Sequence, residues 1–206
     1  HNFWIKIAIK GSEKNRKKFV LEIYNIHIDS ISFYSPVNDS TYTTSTTGYK
    51  KNFSQREYKT INFTFDIDGE SEDFQYYYFK VNAQDPQWLE THLRTTSYYV
   101  YYAVTEYYLL GFFYGIILIM AVYNFLIFFS TKEKVYIYYV IYVLTGGLMT
   151  LIEDGTGFAY LWPNAPEFST IVSNYPRLLW MISFVLYSTT FLKTRVYYPK
   201  WNKYVV

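Results

Sequence analysis

An uncharged stretch from Leu109 to Phe129 constrains the fold of this chain more than any other feature. An α-helix rises about 1.5 Å per residue, so a helix over this stretch matches the roughly 30 Å hydrocarbon core of a bilayer. We therefore predict a transmembrane helix over residues 109–129.

Two further apolar stretches follow the first one. Val135 to Ile152 is uncharged and is joined to the first stretch by the short connection Ser130–Lys134, which predicts an antiparallel hairpin of helices. Leu178 to Leu192 is also uncharged, and it reaches full spanning length if the helix begins near Ile171. The sequence predicts transmembrane helices over 135–152 and 171–192.

The charged residues divide the chain near Tyr108. Residues 1–108 carry 12 Lys or Arg and 13 Asp or Glu, whereas residues 109–206 carry 7 and 4. This contrast indicates two units in different solvents. We predict an extracytoplasmic domain over residues 1–97 and a transmembrane region over residues 98–206, and we expect both ends of the chain to be cut from a longer protein.

The first unit has the pattern of a β-sandwich. Phe3 to Ile9 alternates apolar and polar residues with the two-residue period of a half-buried strand. Turn-forming residues separate the other apolar runs, which predicts an antiparallel sandwich of short strands. The predicted strands cover 3–9, 19–24, 28–34, 60–67 and 74–81. The Ser/Thr-rich stretch Ser40–Gly48 is predicted to be a loop that either rims a binding face or is mobile.

Basic residues predict the orientation in the membrane. Lys132 and Lys134 follow the first helix, and four more basic residues follow the third, whereas the connection 153–170 carries acids without Lys or Arg. Because cytoplasmic loops are enriched in Lys and Arg, the β domain is expected outside. The tyrosines between Tyr98 and Tyr108 are predicted to form an interfacial belt at the outer headgroups.

Three residues in the first predicted helix suggest packing against other helices. Gly111 and Gly115 form a Gly-x-x-x-Gly pair, which allows close approach within a larger bundle or in a homodimer. The amide of Asn124 would be unpaired in lipid, so it is predicted to face a neighbouring helix as structural glue.

Several function classes find no support in the sequence. The three histidines lie far apart, no residue stands in a recognisable nucleophile context, and the chain has no cysteine. We expect no catalytic residues, no metal site and no cofactor in this segment. The net charge of +2 is spread among interspersed acids and bases, which argues against nucleic-acid binding.

The order of several short motifs resembles that of a known receptor family. In the first unit the motifs are Trp4-Ile5-Lys6-Ile7, Leu21-Glu22-Ile23-Tyr24-Asn25 and Phe53-Ser54-Gln55-Arg56; in the second they are Gly111-Phe112-Phe113-Tyr114-Gly115, Tyr123-Asn124, Tyr136-Ile137-Tyr138-Tyr139-Val140 and Phe158-Ala159-Tyr160-Leu161-Trp162-Pro163. This order resembles the bacterial seven-transmembrane receptors with diverse intracellular signalling modules (7TMR-DISM). The resemblance covers nearly the whole chain.

The resemblance implies a jelly-roll-like outer domain, seven helices in the complete protein and a cytoplasmic output module. Such modules are histidine kinases, diguanylate cyclases or transcriptional modules. It also implies a bacterial cytoplasmic membrane location, with the N-terminal domain outside and the lipid bilayer as a partner. On this basis the chain is predicted to sense a ligand and to pass the signal through its helices, which requires a stiff junction over residues 85–97.

The likeness of the family's outer domain to carbohydrate-binding sandwiches suggests a carbohydrate or another small polar ligand. Trp4 and Trp88 are candidates to stack on a sugar ring, and Gln55 and Arg56 are candidates to bind its hydroxyls or a carboxylate. Each also has a structural interpretation, with the tryptophans in packing and Arg56 paired with Glu57 or Asp66. The alternatives are a membrane-anchored binding or adhesion protein and a transporter with an accessory domain.

Overall fold

A computed structural model describes residues 2–11, 18–26, 28–38, 41–69, 71, 73–83, 89–173 and 175–197. The chain divides into two compact units. One unit comprises residues 1–105 and 154–169, and the other comprises residues 106–153 and 170–206. The predicted position of the membrane boundary near residue 98 stays a prediction.

The first unit contains two antiparallel sheets. The four-stranded sheet has the order β1-β6-β3-β4, and the three-stranded sheet has the order β5-β2-β7. The strands are β1 Asn2–Lys10, β2 Phe19–Tyr24, β3 Ser30–Asn38, β4 Thr41–Thr47, β5 Phe63–Ile67, β6 Phe74–Asn82 and β7 Glu90–Thr95. The predicted antiparallel sandwich is confirmed, whereas the jelly-roll topology stays a prediction.

The core of the sandwich forms between the inward positions of the two sheets. Phe33, Phe65 and Phe79 are buried and pack ring against ring, with centroids 4.8 Å apart from Phe33 to each of the other two. β1 alternates exposed and half-buried residues along its whole length, as its sequence period predicts. The burial of these large side chains is the main favourable contribution to the stability of this unit.

Two strands in this unit were not predicted. Thr41–Thr47 forms β4, an edge strand paired with β3, so the prediction of a loop over residues 40–48 is wrong. Glu90–Thr95 forms β7, which pairs with β2. The turn predicted at residues 36–40 is wrong for residues 36–38, because β3 continues to Asn38 with a register shift after Pro36, and residues 39–40 lie outside the described residues.

Helices account for most of the remaining described residues. They are α1 Thr96–Thr131, α2 Lys134–Glu153, α3 Thr156–Tyr160, α4 Pro166–Val172, α5 Pro176–Phe191 and α6 Thr194–Tyr197. Within the described residues, α1 and α2 are long and apolar enough to cross a membrane. The predicted third helix over 171–192 differs from the structure, where Pro176 occupies the first turn of α5 and residues 171–172 belong to α4.

Within the second unit, aromatic rings and Gly146 join α2 to α5, and Gly147 packs against α1. Tyr142 stacks on Trp180 and Tyr187, with centroids 6.0 and 5.7 Å apart. A Cβ on Gly146 would lie 3.0 Å from Nε1 of Trp180, and a Cβ on Gly147 would lie 3.0 Å from Ile117 of α1. These glycines therefore allow close helix packing, a role that sequence analysis did not assign to them.

Candidate functional site

The segment that connects α2 to α5 belongs largely to the unit of the sandwich. Residues 154–169 of this segment form α3 and the beginning of α4, and they are grouped with the strands rather than with the helices on either side. A connection between two helices is ordinarily a mobile surface feature. Here residues 154–169 are part of the fold of the sandwich unit, which makes their contacts a candidate functional site.

An aromatic cluster holds this segment in place. Phe158 of α3 is 3% exposed, and its ring lies 5.4 Å from that of Tyr49 and 5.8 Å from that of Phe53, between centroids. Ile61 and Trp162 cover the cluster. Such edge-on and tilted ring pairs each contribute about 0.5–1.5 kcal/mol beyond the burial of their area. We name Tyr49, Phe53 and Phe158, together with Arg56, the loop-docking cluster.

Arg56 is the charged member of the loop-docking cluster. It is 8% exposed, and its guanidinium carbon lies 4.6 Å from the ring centroid of Phe63, 4.7 Å from Phe53 and 5.8 Å from Phe158. The guanidinium also donates hydrogen bonds to the carbonyls of Thr60 and Ile61, at 3.0 and 2.9 Å. Because it lies over the rings and binds main-chain carbonyls, Arg56 joins the sandwich to α3.

Polar contacts fix the register of the docked segment. The backbone N–H of Phe53 donates to the carbonyl of Pro163 at 2.8 Å, and the Ser54 hydroxyl donates to the Asn164 side chain. The indole of Trp162 donates to the Ser169 hydroxyl at 2.6 Å. Burial raises the pKa of the Tyr49 phenol, and a hydrogen bond with Ser169 opposes that rise. The phenol therefore stays protonated at physiological pH.

Gly155 allows the segment to turn directly after α2. It has φ = 78°, the left-handed conformation that glycine adopts without strain. A Cβ at this position would lie 3.1 Å from side-chain atoms of Ile26 and Ile61. The Asp154 carboxylate accepts a hydrogen bond from the backbone N–H of Thr156 at 2.8 Å, which stabilises the start of α3.

The first turns of α1 are a second attachment to the sandwich. β7 ends at Thr95 and α1 begins at Thr96, whose N–H and hydroxyl both donate to the carbonyl of Lys18 at 3.1 Å. Tyr99 is 4% exposed, and its phenol lies 3.1 Å from the hydroxyl of Thr64. Tyr99 therefore packs against the sandwich, which corrects its predicted place in an interfacial belt.

A buried ion pair reinforces this second attachment. Glu22 of β2 is 2% exposed and pairs with Arg94 of β7, while the Asn62 amide donates to the other carboxylate oxygen at 2.9 Å. The guanidinium carbon of Arg94 lies 4.4 Å from the ring centroid of Tyr102 in α1. Buried charges require such complete pairing, so this network fixes β2, β7 and the start of α1 relative to one another.

Comparison with known proteins gives two matches. A family model described as 7TMR-DISM extracellular 2 matches residues 1–95, and one described as 7TM diverse intracellular signalling matches residues 106–206. The chain belongs to the 7TMR-DISM family. The resemblance drawn from the sequence motifs is therefore confirmed. No curated relative and no solved structure matches the chain.

Membership of the 7TMR-DISM family indicates the general function of the chain. The family consists of membrane sensors in which an extracellular domain and a seven-helix domain are linked to intracellular signalling. The sandwich of this 7TMR-DISM chain is accordingly the extracellular part, and α1 and α2 belong to the seven-helix part. The family is of a sensory receptor type and not itself an enzyme family.

The structure separates the predicted ligand residues. Trp4 is 59% exposed on the outward face of the four-stranded sheet, where its ring lies 5.4 Å from that of Tyr34. Gln55 is exposed on the short 3₁₀ helix Phe53–Gln55, next to the buried Arg56. Trp88 lies outside the described residues. Trp4 and Arg56 thus contact different residues, and a ligand role for any of the four stays a prediction.

In the described part of the chain, the two predicted helix-packing glycines of α1 face open space, and Asn124 has a partner in its own helix. A Cβ on Gly111 or Gly115 would meet no atom within 4 Å. The Asn124 amide donates to the carbonyl of Met120 one turn earlier, at 2.9 Å, so its own helix provides a partner. Packing of these three residues against further helices or a second copy stays a prediction.

Proposed function

We propose that this 7TMR-DISM chain is the sensing and relay part of a bacterial receptor in the cytoplasmic membrane. Its sandwich binds a carbohydrate or another small polar ligand, and its helices pass the signal to a cytoplasmic output module. That module is a histidine kinase, a diguanylate cyclase or a transcriptional module, and it performs the output chemistry. The segment itself acts as a receptor rather than as an enzyme.

One observation carries the relay part of the proposal. Residues 154–169, which connect two membrane-unit helices, are built into the fold of the sandwich through the loop-docking cluster. A change in the packing of the sandwich therefore acts on the chain where it enters α5 as well as where it enters α1. An anchored binding protein needs neither attachment, so the receptor function accounts for this structure better.

The proposed signal is a change between two packings. Packed interfaces respond to ligands by switching between discrete arrangements, because close-packed side chains do not deform continuously. A ligand that favours one arrangement of the loop-docking cluster shifts the population of that arrangement. α1, α2 and α5 then receive the shift through covalent connections. The open Gly111–Gly115 surface is proposed to pack against the remaining helices or a second copy.

Spin-label distances test this relay. The chain has no cysteine, so Lys134→Cys and Arg195→Cys introduce two unique labelling sites at exposed positions on α2 and α6. The labelled chain in nanodiscs is titrated with cellohexaose, chitohexaose and oligogalacturonate. We expect at least one glycan to change the distance distribution between the labels, as measured by double electron–electron resonance.

Phe158→Ala tests the route of the relay. This substitution removes the central ring of the loop-docking cluster, and the matched control Phe168→Ala removes an exposed ring from the same segment. We expect Phe158→Ala to retain glycan binding and to lose the distance change, whereas Phe168→Ala retains both. A distance change that persists in Phe158→Ala, or the absence of any change with every glycan, contradicts the proposed relay.

A further inference from the structure

The outward face of the four-stranded sheet carries a group of aromatic side chains. Because successive strand residues point to opposite faces, the residues that alternate with the core positions share this surface. β1, β3, β4 and β6 each contribute at least one ring. We name this surface the aromatic face, and its rings belong to Trp4, Tyr34, Tyr42, Phe74, Tyr76 and Tyr78.

The rings of the aromatic face are accessible and adjacent. Trp4 and Phe74 are 59% and 58% exposed, and Tyr42 and Tyr76 are each 40% exposed. Tyr42 lies 5.6 Å from Tyr78 between centroids. Exposed contiguous aromatic surface costs hydration free energy and is typical of interaction sites. Tyrosine and tryptophan also supply rigid contact area at low conformational cost, as binding surfaces require.

Lysines lie among these rings. Nζ of Lys6 is 3.9 Å from the ring centroid of Tyr76, and Nζ of Lys80 is 5.8 Å from that of Trp4. Lys10 lies over Phe74 at the end of the face, at 5.5 Å. Within the described residues, no carboxylate lies within 4.0 Å of these three ammonium groups.

All charged side chains in the strands of the aromatic face are positive. The outward positions of β1, β3, β4 and β6 carry three lysines and no Asp or Glu, and the nearest described carboxylates in sequence, Asp29 and Asp73, immediately precede β3 and β6. An isologous contact with a second copy would bring these lysines together, which disfavours self-association through this face. The face therefore complements an anionic partner.

Hydroxyl groups on the same face favour a polar polymer over acyl chains. Four of the six rings are tyrosines, and Ser32 and Thr46 on neighbouring strands point to the same side, with their hydroxyls 3.2 Å apart. Such hydroxyls donate and accept hydrogen bonds, and sugar hydroxyls are suitable partners for them. The apolar faces of sugar rings, in turn, match flat aromatic surfaces.

We infer that the aromatic face binds an anionic polysaccharide, with sugar rings stacked on Trp4 and Tyr76 and carboxylates paired with Lys6 and Lys80. The inference rests on the proposed function, since it specifies the ligand class and the location of binding on the sandwich. It retains Trp4 from the residues predicted from sequence and adds Lys6 on β1 and Tyr76 and Lys80 on β6. Gln55 and Arg56 lie outside this face.

Two polymers that share a backbone but differ in charge test whether the charge of the ligand contributes to binding. The full 206-residue chain in phosphatidylcholine nanodiscs is tested by surface plasmon resonance against polygalacturonate and against fully methyl-esterified pectin, which lacks the carboxylate charge. Lys6→Gln with Lys80→Gln removes two charges from the face. As a matched control, Lys132→Gln with Lys134→Gln removes the same charge from the connection between α1 and α2 and from the first residue of α2.

We expect polygalacturonate to bind more tightly than the methyl ester, and the Lys6→Gln/Lys80→Gln chain to lose about five- to tenfold in affinity for it at low salt. The control pair should bind like the unmodified chain, and Trp4→Ala should weaken binding of both polymers. Equal binding of both polymers that is insensitive to the lysines overturns the anionic inference but leaves the glycan receptor standing.

Two other results overturn the inference in different ways. Binding of neither polymer, while a neutral glycan still changes the spin-label distances, overturns the anionic polysaccharide as the ligand and leaves the glycan receptor standing. Displacement of bound polygalacturonate by vesicles of anionic phospholipid, but not by neutral vesicles, assigns the face to a lipid surface instead. Each outcome leaves the relay through the loop-docking cluster to be judged by its own experiment.

Discussion

Arg56 shows how a single residue can serve as a structural link where sequence analysis suggested ligand binding. The motif Gln55-Arg56 predicted a ligand contact, or a pair with Glu57 or Asp66. The structure instead shows its guanidinium against three aromatic rings and two main-chain carbonyls. The carbonyls of Thr60 and Ile61 bind Arg56, which explains why β5 begins at Phe63 rather than at the predicted Thr60. These partners come together only through tertiary folding.

The planar guanidinium leads to a prediction for Arg56→Lys. Lysine keeps the charge but loses the flat stacking surface and the fixed fork of donors, so we expect the outer unit to lose about 1–3 kcal/mol of unfolding free energy. Thermal unfolding in detergent, followed by tryptophan fluorescence, measures the loss. The control Gln55→Ala changes the exposed neighbour and should leave the transition unmoved. Equal transitions for both variants would refute the structural role of Arg56.

Among the strands, the range predicted from the sequence is accurate where the hydrophobic pattern is regular. β1, β2 and β6 have apolar alternation or a buried apolar run, and their predicted ranges agree with the structure to within one residue at each end. β4 is an exposed edge strand made of Thr, Ser and Tyr, so it has no apolar period, although its β-branched content favours a strand. The docking of residues 154–169 could not be predicted from the sequence, because it pairs residues such as Ser54 and Asn164 that lie 110 positions apart.

For the helices, the length could be predicted from the sequence, but the packing could not. The Gly-x-x-x-Gly pair in α1 predicted helix packing, whereas the glycines that contact another helix in the described residues are Gly146 and Gly147. Small residues favour close helix approach, but the sequence does not reveal which face has a partner.

This difference predicts unequal effects of two matched substitutions. Gly146→Leu forces a side chain against Trp180, so we expect a loss of about 1–3 kcal/mol from overpacking between α2 and α5. Gly111→Leu enters open space in this chain and should leave its stability unchanged. Chemical unfolding of the 206-residue chain in mixed micelles compares them. A larger loss for Gly111→Leu would show that the α2–α5 packing described above is wrong.

At the scale of the whole molecule, the outer unit combines three separate parts of the chain. The strands provide the scaffold, the first turns of α1 are fixed by Thr96 and Tyr99, and residues 154–169 are fixed by the loop-docking cluster. The proposed relay depends on both of these attachments to the sandwich, because they lie where the chain continues into the helices. The proposed relay therefore requires residues 154–169 to be part of the sandwich.

Cysteine cross-linking in this cysteine-free chain tests whether residues 154–169 dock on the sandwich. Ser54→Cys with Asn164→Cys replaces two side chains that form a hydrogen bond, and Ser54→Cys with Glu167→Cys serves as the control. Under oxidation by copper phenanthroline in nanodiscs, we expect rapid disulfide formation in the first pair and slow formation in the control, measured by the gel shift after protease cleavage between α1 and α2. Equal slow rates in both pairs would contradict the docking of residues 154–169 on the sandwich.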